Sequence, residues 1–342
     1  MEHKMKSSLT TLCYIENGDS YLMMHRTKKE NDINKDKWIG VGGHFEPGES
    51  PDECLKREVW EETGLTLTSY RLRGIITFST NNWPTEYMFL YTASADTKAI
   101  TACDEGELVW VRRSDIRFLN LWEGDNIFFK LLDEQRDMFS LKLTYHDDTL
   151  VSAVLDGIPM ELLEILNPDG TFSGKTSERS IVHATGTLHA TSHVWLVRKN
   201  NNCGYDVLLQ KRSETKDSSP GCYDISSAGH IPYGEDFITS ALRELEEELG
   251  ICASPDDLKF AGVHQNFSEE IFHGRPFRNN EYSHVFIYHC ETDPIFTLQK
   301  SEVDSVKWMD LAECIKAVCG NRFPNCIFLD ELNLLKENLD IK

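Results

Sequence analysis

Short runs of apolar residues alternating with polar ones recur along the chain, each bounded by turn residues, as expected of strands half-buried in a sheet. SYLMMHR (20–26), EYMFLYTA (86–93), DVLLQKR (206–212) and SHVFIYHC (283–290) carry the pattern most clearly, while ELVWVRRSDI and DSVKWMDLAE are extended runs that turn into polar helix starts. Two stretches switch to helical spacing, REVWEETGL at 57–65 and RELEEELGI at 243–251. Along the helix that carries the first, Leu55 and Val59 fall on one face and Glu58, Glu61 and Glu62 on the other. Ser50, Pro51 and Glu53 form a helix start with a capping serine, proline at the first helical position and a glutamate three residues on. Gly64 and Gly250 stand where a left-handed helix end favours glycine.

The two acidic stretches lie in longer matching blocks, GGHFEPGESPDECLKREVWEETGL (42–65) and AGHIPYGEDFITSALRELEEELGI (228–251). Gly43 aligns with Gly229, Glu49 with Glu235, Arg57 with Arg243, Glu58 with Glu244, Glu61 with Glu247 and Glu62 with Glu248, all at an offset of 186. One offset throughout the block indicates a duplicated domain rather than a short-period solenoid. Both halves read strand, strand, glycine loop, acidic helix, further strands and a terminal helix, which predicts an α/β (α+β) fold with a mixed sheet sandwiched by helices. The turn residues Asp156, Gly157 and Pro159 in AVLDGIPMELLEIL mark the expected seam, giving domains 1–157 and 158–342.

A length of 342 residues suits two such domains, and 40% hydrophobic residues supply two packed cores. The formal charge of −21 offers no broad basic surface, so a nucleic acid polymer is excluded as the expected partner. A small anionic substrate remains compatible if cations bridge it to the acidic side chains. The ten cysteines show no C-x-x-C pair, which reads as reduced thiols. MEHKMKSSLT lacks an apolar signal core, and no run approaches the roughly 18 residues of a membrane span. The expectation is a cytoplasmic protein with no membrane partner, compatible with association as a homodimer.

Glutamates at i, i+3 and i+4 repel one another on an isolated helix, so the face needs either solvent or cations. Clustered hard oxygen donors are what Mg²⁺, or alternatively Mn²⁺, uses beside substrate phosphates. Recurrence of the whole constellation in both halves favours the cation reading over a solvated acidic surface. Arg57 and Arg243 are placed to pair with the loop glutamates Glu49 and Glu235 and so fix the loop on the helix.

The pattern G-x5-E-x7-R-E-U-x-E-E-x-G-U, with U aliphatic, resembles the Nudix box, and both halves match it at every specified position. The resemblance implies divalent-metal-dependent cleavage of nucleoside diphosphates linked to another group. It implies that Glu58, Glu61 and Glu62, with the backbone carbonyl of Gly42, hold metal in the first half, and Glu244, Glu247 and Glu248, with that of Ala228, in the second. The catalytic candidates are Glu58, Glu61, Glu244 and Glu247, and Gly43, Glu49, Arg57, Gly229, Glu235 and Arg243 form the structural box. Glu105 and Glu302 are candidates for a distant acid.

TTLCYIENG, LMMHRTKKENDINKDKWIGVGG, RGIITF, LVWV and LWEGD make residues 8 to about 157 similar to the MutT-like 8-oxo-dGTP diphosphatases. This implies release of pyrophosphate and a nucleoside monophosphate in nucleotide-pool sanitation. Trp122 and Asp125 match a tryptophan and an acid of the related animal enzyme's base pocket, whereas Gly124 and Ile39 depart from it. A half-buried packing role for Trp122 stands beside that reading. Arg26 and Arg212 are candidates for contacting the diphosphate, or are solvated strand-end charges.

From Glu161 onward, ILNPDGTFSG, VHATGTLHATSHVWLV, LLQKRSETKDSSPGCYDISSAGH and NEYSHVF resemble the Nudix branch that contains isopentenyl-diphosphate isomerase. His183, His189 and His230 match its metal-binding histidines and Glu281 a metal-binding glutamate, a set suited to a transition metal. The bland alternative is satisfied polar residues near a strand edge. Ala228 replaces the catalytic cysteine and has no transferable proton, and Asn279 replaces a second metal glutamate. Together with the intact box, this makes a diphosphate hydrolase of unidentified substrate the expectation for the second half, with the isomerase or a non-catalytic nucleotide sensor as alternatives.

Overall fold

The structure is a computed structural model that describes residues 7–28, 32–201, 203–272 and 274–339. The chain divides into two compact units, Met1–Leu162 with Thr176–Glu178, and Leu163–Lys175 with Arg179–Lys342.

The first unit contains β1 (Ser8–Asn17), β2 (Ser20–His25), β3 (Trp38–Ile39), α1 (Pro51–Thr63), β4 (Leu67–Thr80), β5 (Glu86–Ala95), β6 (Glu107–Arg112), α2 (Arg113–Ile116), α3 (Asp125–Asp133), β7 (Phe139–His146), β8 (Thr149–Leu155) and β9 (Ile158–Pro159). Its strands form one mixed sheet in the order β3-β2-β1-β5-β4-β7-β8-β9, with β6 also paired to β2. Alternation along β1 supplies both layers of the sandwich. Cys13 and Ile15 pack with Leu55 and Val59 of α1, while Tyr14 points the other way onto Phe128 and Phe129 of α3.

Next come β10 (Leu162–Leu166), β11 (Phe172–Glu178), α4 (Arg179–Thr185), β12 (His189–Lys199), β13 (Tyr205–Arg212), β14 (Tyr223–Asp224), β15 (Ser227–His230), α5 (Phe237–Leu249), β16 (Leu258–Phe272), β17 (Arg275–His289), β18 (Val303–Asp310), α6 (Leu311–Cys319) and α7 (Leu329–Asn338). Val194 and Leu196 of β12 meet Ala241, Leu245 and Leu249 of α5, whereas Trp195 and Val197 meet Leu332 and Leu335 of α7. The pairings of the first unit recur. β1 runs parallel to β5 and β12 parallel to β17, β4–β5 and β16–β17 are antiparallel, and β6 and β18 flank β2 and β13. Both are therefore α/β sandwiches around a mixed sheet, two copies in tandem.

Two features differ from the sequence expectation. The first unit does not end in a helix. After α3 the chain returns as the β7–β8 hairpin, whose first strand extends the sheet parallel to β4. Asp156 and Gly157, both at positive φ, form the two-residue turn between β8 and β9, so the expected seam is a hairpin turn inside the first unit. Among the described residues no helix is long and apolar enough to cross a membrane, and the ten cysteines are free thiols.

Candidate active site

The acidic helices are built by their ends. The Ser50 hydroxyl accepts from the Glu53 N–H at 3.3 Å, the Glu53 carboxylate accepts from the Ser50 N–H at 2.8 Å, and Gly64 closes α1 at φ 71°. In α5 the cap is Asp236, which accepts from the Thr239 N–H at 2.7 Å, and Gly250 closes the helix at φ 73°. These caps and the buried leucines set the rotation of each helix and leave its glutamate face toward the glycine loop.

On that face one guanidinium gathers the carboxylates. Arg57 donates from Nε to Glu49 at 2.7 Å and from Nη2 to Glu49 and to the His44 carbonyl at 2.9 Å, while Nη1 reaches Glu58 at 2.7 Å and Glu61 at 3.1 Å. Those hydrogen bonds hold the Glu49 carboxyl at about 2, well below the usual carboxylate range. In the second unit Arg243 donates to Glu235 at 3.2 Å, Glu244 at 2.7 Å, Glu247 at 3.2 Å and the His230 carbonyl at 3.4 Å.

The last glutamate of each set turns inward. Glu62 accepts from the Gly42 N–H at 3.0 Å and Glu248 from the Ala228 N–H at 3.3 Å. Burial pushes each carboxyl up to about 8, with Glu105 and Glu58 adding to the effect at Glu62 and Glu244 at Glu248. Burial also raises Glu244. Glu61 and Glu247 stay half exposed, at 51% and 52%. Gly43 lies against the Glu58 carboxylate and Gly229 against that of Glu244, with no room for a side chain on either glycine.

The distant acids come to the same places. Glu105 is paired with Arg26, which also donates to Asp32 at 2.7 Å, and Glu302 is paired with Lys216, whose charge reaches Glu248. Arg26 is nearly buried between its two carboxylates. Arg212 is turned into the 213–224 loop, donating to Asp224 at 2.9 Å and to the Ser218 carbonyl at 3.0 Å, so it is a loop clamp rather than a free strand-end charge.

Trp122 is 4% exposed, packed edge-on against Phe78 and Tyr145, with Lys37 over its ring and its Nε1–H donated to Asn34 at 2.8 Å. In this conformation it is a packing residue more than an open platform. Asp125 is also buried, at the start of α3, and burial lifts its carboxyl to about 8. A Cβ on Gly124 would lie 2.6 Å from Leu143 and 2.7 Å from the Tyr145 hydroxyl, which explains sterically why no acid stands there.

In the second unit, ligand atoms of His183, His189 and His230 lie within 4.8 Å of one another. Nε2 of His189 is 3.9 Å from Glu281, and Nδ1 of His189 lies 2.9 Å from the Thr187 carbonyl, a contact that, if Nδ1 donates, leaves Nε2 with its lone pair. Burial first, and the neighbouring histidines second, depress His183 to about 2 and His189 to about 4, so both rings are neutral at physiological pH. Among the described residues the ring nitrogens of His183, Nε2 of His189 and Oδ1 of Asn279 are buried without a hydrogen-bond partner of good geometry, so the reading as satisfied polar residues does not describe these three side chains.

Sequence reasoning did not single out a second polar group in this unit. His193 contacts Glu331 at 3.1 Å, Trp195 donates to the same carboxylate at 2.8 Å, and His264 contacts Asp330 at 3.0 Å. The available signal was the run HATSHVW, where every second residue at the start of an otherwise apolar strand is polar.

A NUDIX domain model matches residues 6–132 and again 187–324. Nudix hydrolase 3 of Arabidopsis thaliana is 39% identical over 156 residues, 45% of this chain and 20% of that protein, so the chain spans only a fifth of that relative. An uncharacterized Nudix hydrolase of Clostridium acetobutylicum is 35% identical over 154 residues, 45% of this chain and 71% of that protein. The crystal structure of a MutT protein from Bacillus halodurans aligns at 26% identity over 44% of this chain and 97% of that one, with a TM-score of 0.39. The matches cover both acidic helices and most of both sheets, and the chain belongs to the Nudix family, with two NUDIX domains in tandem.

Proposed function

We propose that each unit is a Mg²⁺-dependent diphosphate hydrolase, with Mn²⁺ as an alternative, and that the first converts 8-oxo-dGTP to 8-oxo-dGMP and pyrophosphate. The observation that carries the reading is the same in both units: two helix glutamates and a loop glutamate gathered by a single guanidinium, with a third helix glutamate buried against the glycine loop. One arginine leaves a surplus of negative charge, and burial keeps one carboxyl of each set poised near neutrality. Such a set of hard oxygens fits a divalent cation. Glu58, Glu61, Glu62 and the Gly42 carbonyl would hold it in the first unit, and Glu244, Glu247, Glu248 and the Ala228 carbonyl in the second. When bound, the metal neutralises the diphosphate and lowers the pKa of a water.

The protein supplies the rest. Glu61 and Glu247, half exposed, are suited to take a proton from the attacking water, while Arg57 and Arg243 hold Glu58 and Glu244 in line with them. Glu105 keeps Arg26 beside the first site, where its guanidinium can meet a phosphate. Asp125, largely protonated at neutral pH, can donate a hydrogen bond to a purine edge, which supports a base-reading role at the start of α3.

For the second unit the substrate class is a diphosphate whose remaining group the box does not specify. A second reading, an isomerase-type metal centre at His183, His189, His230 and Glu281, is favoured by the buried ring nitrogens of His183 and His189 that have no partner among the described residues. Ala228 argues against isomerisation itself because a methyl group moves no proton. A nucleotide sensor without turnover would require neither glutamate set.

The test is release of pyrophosphate and phosphate from a substrate panel by wild type, Glu61→Gln/Glu62→Gln and Glu247→Gln/Glu248→Gln proteins. Each pair should abolish one set of activities and spare the other. Turnover unaffected by either pair would refute the metal assignment. Cleavage of other nucleotides with 8-oxo-dGTP untouched would refute the first substrate, and formation of dimethylallyl diphosphate from its isomer would establish the second reading.

A further inference from the structure

The two units differ at one sheet edge. β4 and β16 hold the same place, since each lies antiparallel to a strand, β5 or β17, that itself runs parallel to β1 or β12. Each also breaks register one residue before a glycine, at Leu72/Gly74 and at Phe260/Gly262, so Gly74 corresponds to Gly262. In the first unit β7 covers the far side of β4 from Gly74 to Thr80. Among the described residues β16 pairs with β17 alone, which leaves its far side open from Gly262 to Phe272.

An open edge presents unpaired N–H and C=O groups to any passing strand, and lysine or proline commonly blunts it. GVHQNFSEEIF (262–272) contains neither. His264 faces α7, where it contacts Asp330 at 3.0 Å. By alternation Val263, Phe267 and Ile271 stand on the opposite face, 38%, 62% and 75% exposed. Val263 pairs there with His284, which stacks on Phe237 of α5, so the patch continues the α5 face beyond the helix. Counted from the shared glycine, Phe267 takes the place of Ser79, and the copy with the open edge is the one that carries the aromatic ring.

The spacing of the three apolar residues reads the same in both directions, and that symmetry identifies the partner. A twofold axis through Phe267 of two antiparallel β16 strands sets Phe267 on Phe267 of the second copy, Val263 on Ile271 and Gln265 on Glu269, all on one face. On the other face Asn266 meets Ser268 and His264 meets Glu270. No like charges stand opposite each other, and the apolar pairs are of the kind that stabilises neighbouring strands. A self-matching patch fits the isologous contact of a twofold dimer, and an unrelated strand would have no need of it.

We propose that the chain forms a homodimer through the edge of β16, which pairs antiparallel with β16 of a second copy from Val263 to Ile271 and continues the sheet of the second unit across the twofold axis. The inference is independent of what either unit hydrolyses.

The experiment is sedimentation velocity of the full-length chain over a concentration series, for wild type, Phe267→Lys, Gln265→Lys and Gln265→Glu. Positions 265 and 267 are exposed, so the far-UV circular dichroism of all four proteins should coincide. Wild type should sediment as a dimer. Phe267→Lys should raise the dimer dissociation constant by about thirtyfold or more. Gln265→Lys should lower it by about two- to tenfold, because the new lysine meets Glu269 of the other copy twice, and Gln265→Glu should raise it by a similar factor. A wild type that stays monomeric at every concentration, or a dimer that Phe267→Lys leaves intact, would overturn the proposal. So would a dimer weakened by both lysines, since the strands would then be paired in another register.

Discussion

Gly43 lies flat against the carboxylate of Glu58, where a Cβ would stand 2.5 Å from the carboxyl carbon, and Gly229 meets Glu244 more closely still. The obstacle is the end of a flexible side chain, so Gly43→Ala should leave the fold intact and push Glu58 out of line. The expected result is a melting temperature within a few degrees of wild type and a loss of about a hundredfold in first-unit turnover, because small misplacements at a reacting centre are costly. Gly229→Ala should do the same to the second unit alone.

Glu62 and Glu248 couple stability to pH. Each folded carboxyl titrates near 8, above the ordinary value of 4.5, so between these limits the folded chain holds protons that the unfolded chain has lost. Stability should therefore be highest below about pH 4.5 as far as these two groups are concerned, fall as pH rises, and level off above 8, by up to a few kcal/mol for each. Thermal melts with chelator should show Glu62→Gln and Glu248→Gln more stable than wild type at pH 9. Added Mg²⁺ should raise the wild-type melting temperature more at pH 9 than at pH 6, and hardly at all in the variants.

Arg57 serves four acceptors at once, and a lysine has no fork with which to do so. Arg57→Lys should weaken Mg²⁺ binding and turnover in the first unit by about ten- to a hundredfold, and Arg243→Lys in the second. Isothermal titration and steady-state kinetics on the separate variants would check both.

An acid at position 124 should fail sterically. Gly124→Asp drives a side chain into Leu143 and Tyr145 and displaces the hydroxyl that accepts from the Gly124 N–H at 2.8 Å. Denaturant unfolding should show a loss of about 1–3 kcal/mol from overpacking.

The histidine cluster can be tested by its response to metal. His183→Phe retains the stacking on Phe277, 4.2 Å away, and removes two buried nitrogens that have no partner among the described residues, so the variant should be more stable than wild type in chelator. In the presence of saturating Mg²⁺ to fill the glutamate sets, added Zn²⁺ should raise the melting temperature of wild type more than that of the variant. Equal responses would dismiss the cluster as a metal site.

What could be read from the sequence followed the range of the interactions involved. The caps, the acidic face and the Arg57–Glu49 pair span at most eight residues, so spacing alone revealed them. The Asp156–Gly157 turn was visible as a turn, but whether it joined two domains or two strands depended on the pairing of Val154 with Pro159. Asp330 and Glu331 carried no local signal, because their partners lie far along the chain, His264 at 66 residues and His193 at 138. For Trp122 a base platform and a packing role stood side by side, because nothing local shows that Phe78 and Tyr145 surround it.

The capping positions carry a different lesson. Ser50 and Asp236 occupy the same place in the two copies and do the same work with different acceptor atoms, and only the first is reinforced by a reciprocal glutamate. The glycine pressed on a glutamate appears twice without alteration. A chain that holds two versions of one device is its own mutational record, in which the way into the helix has drifted and the fit of the carboxylate has not.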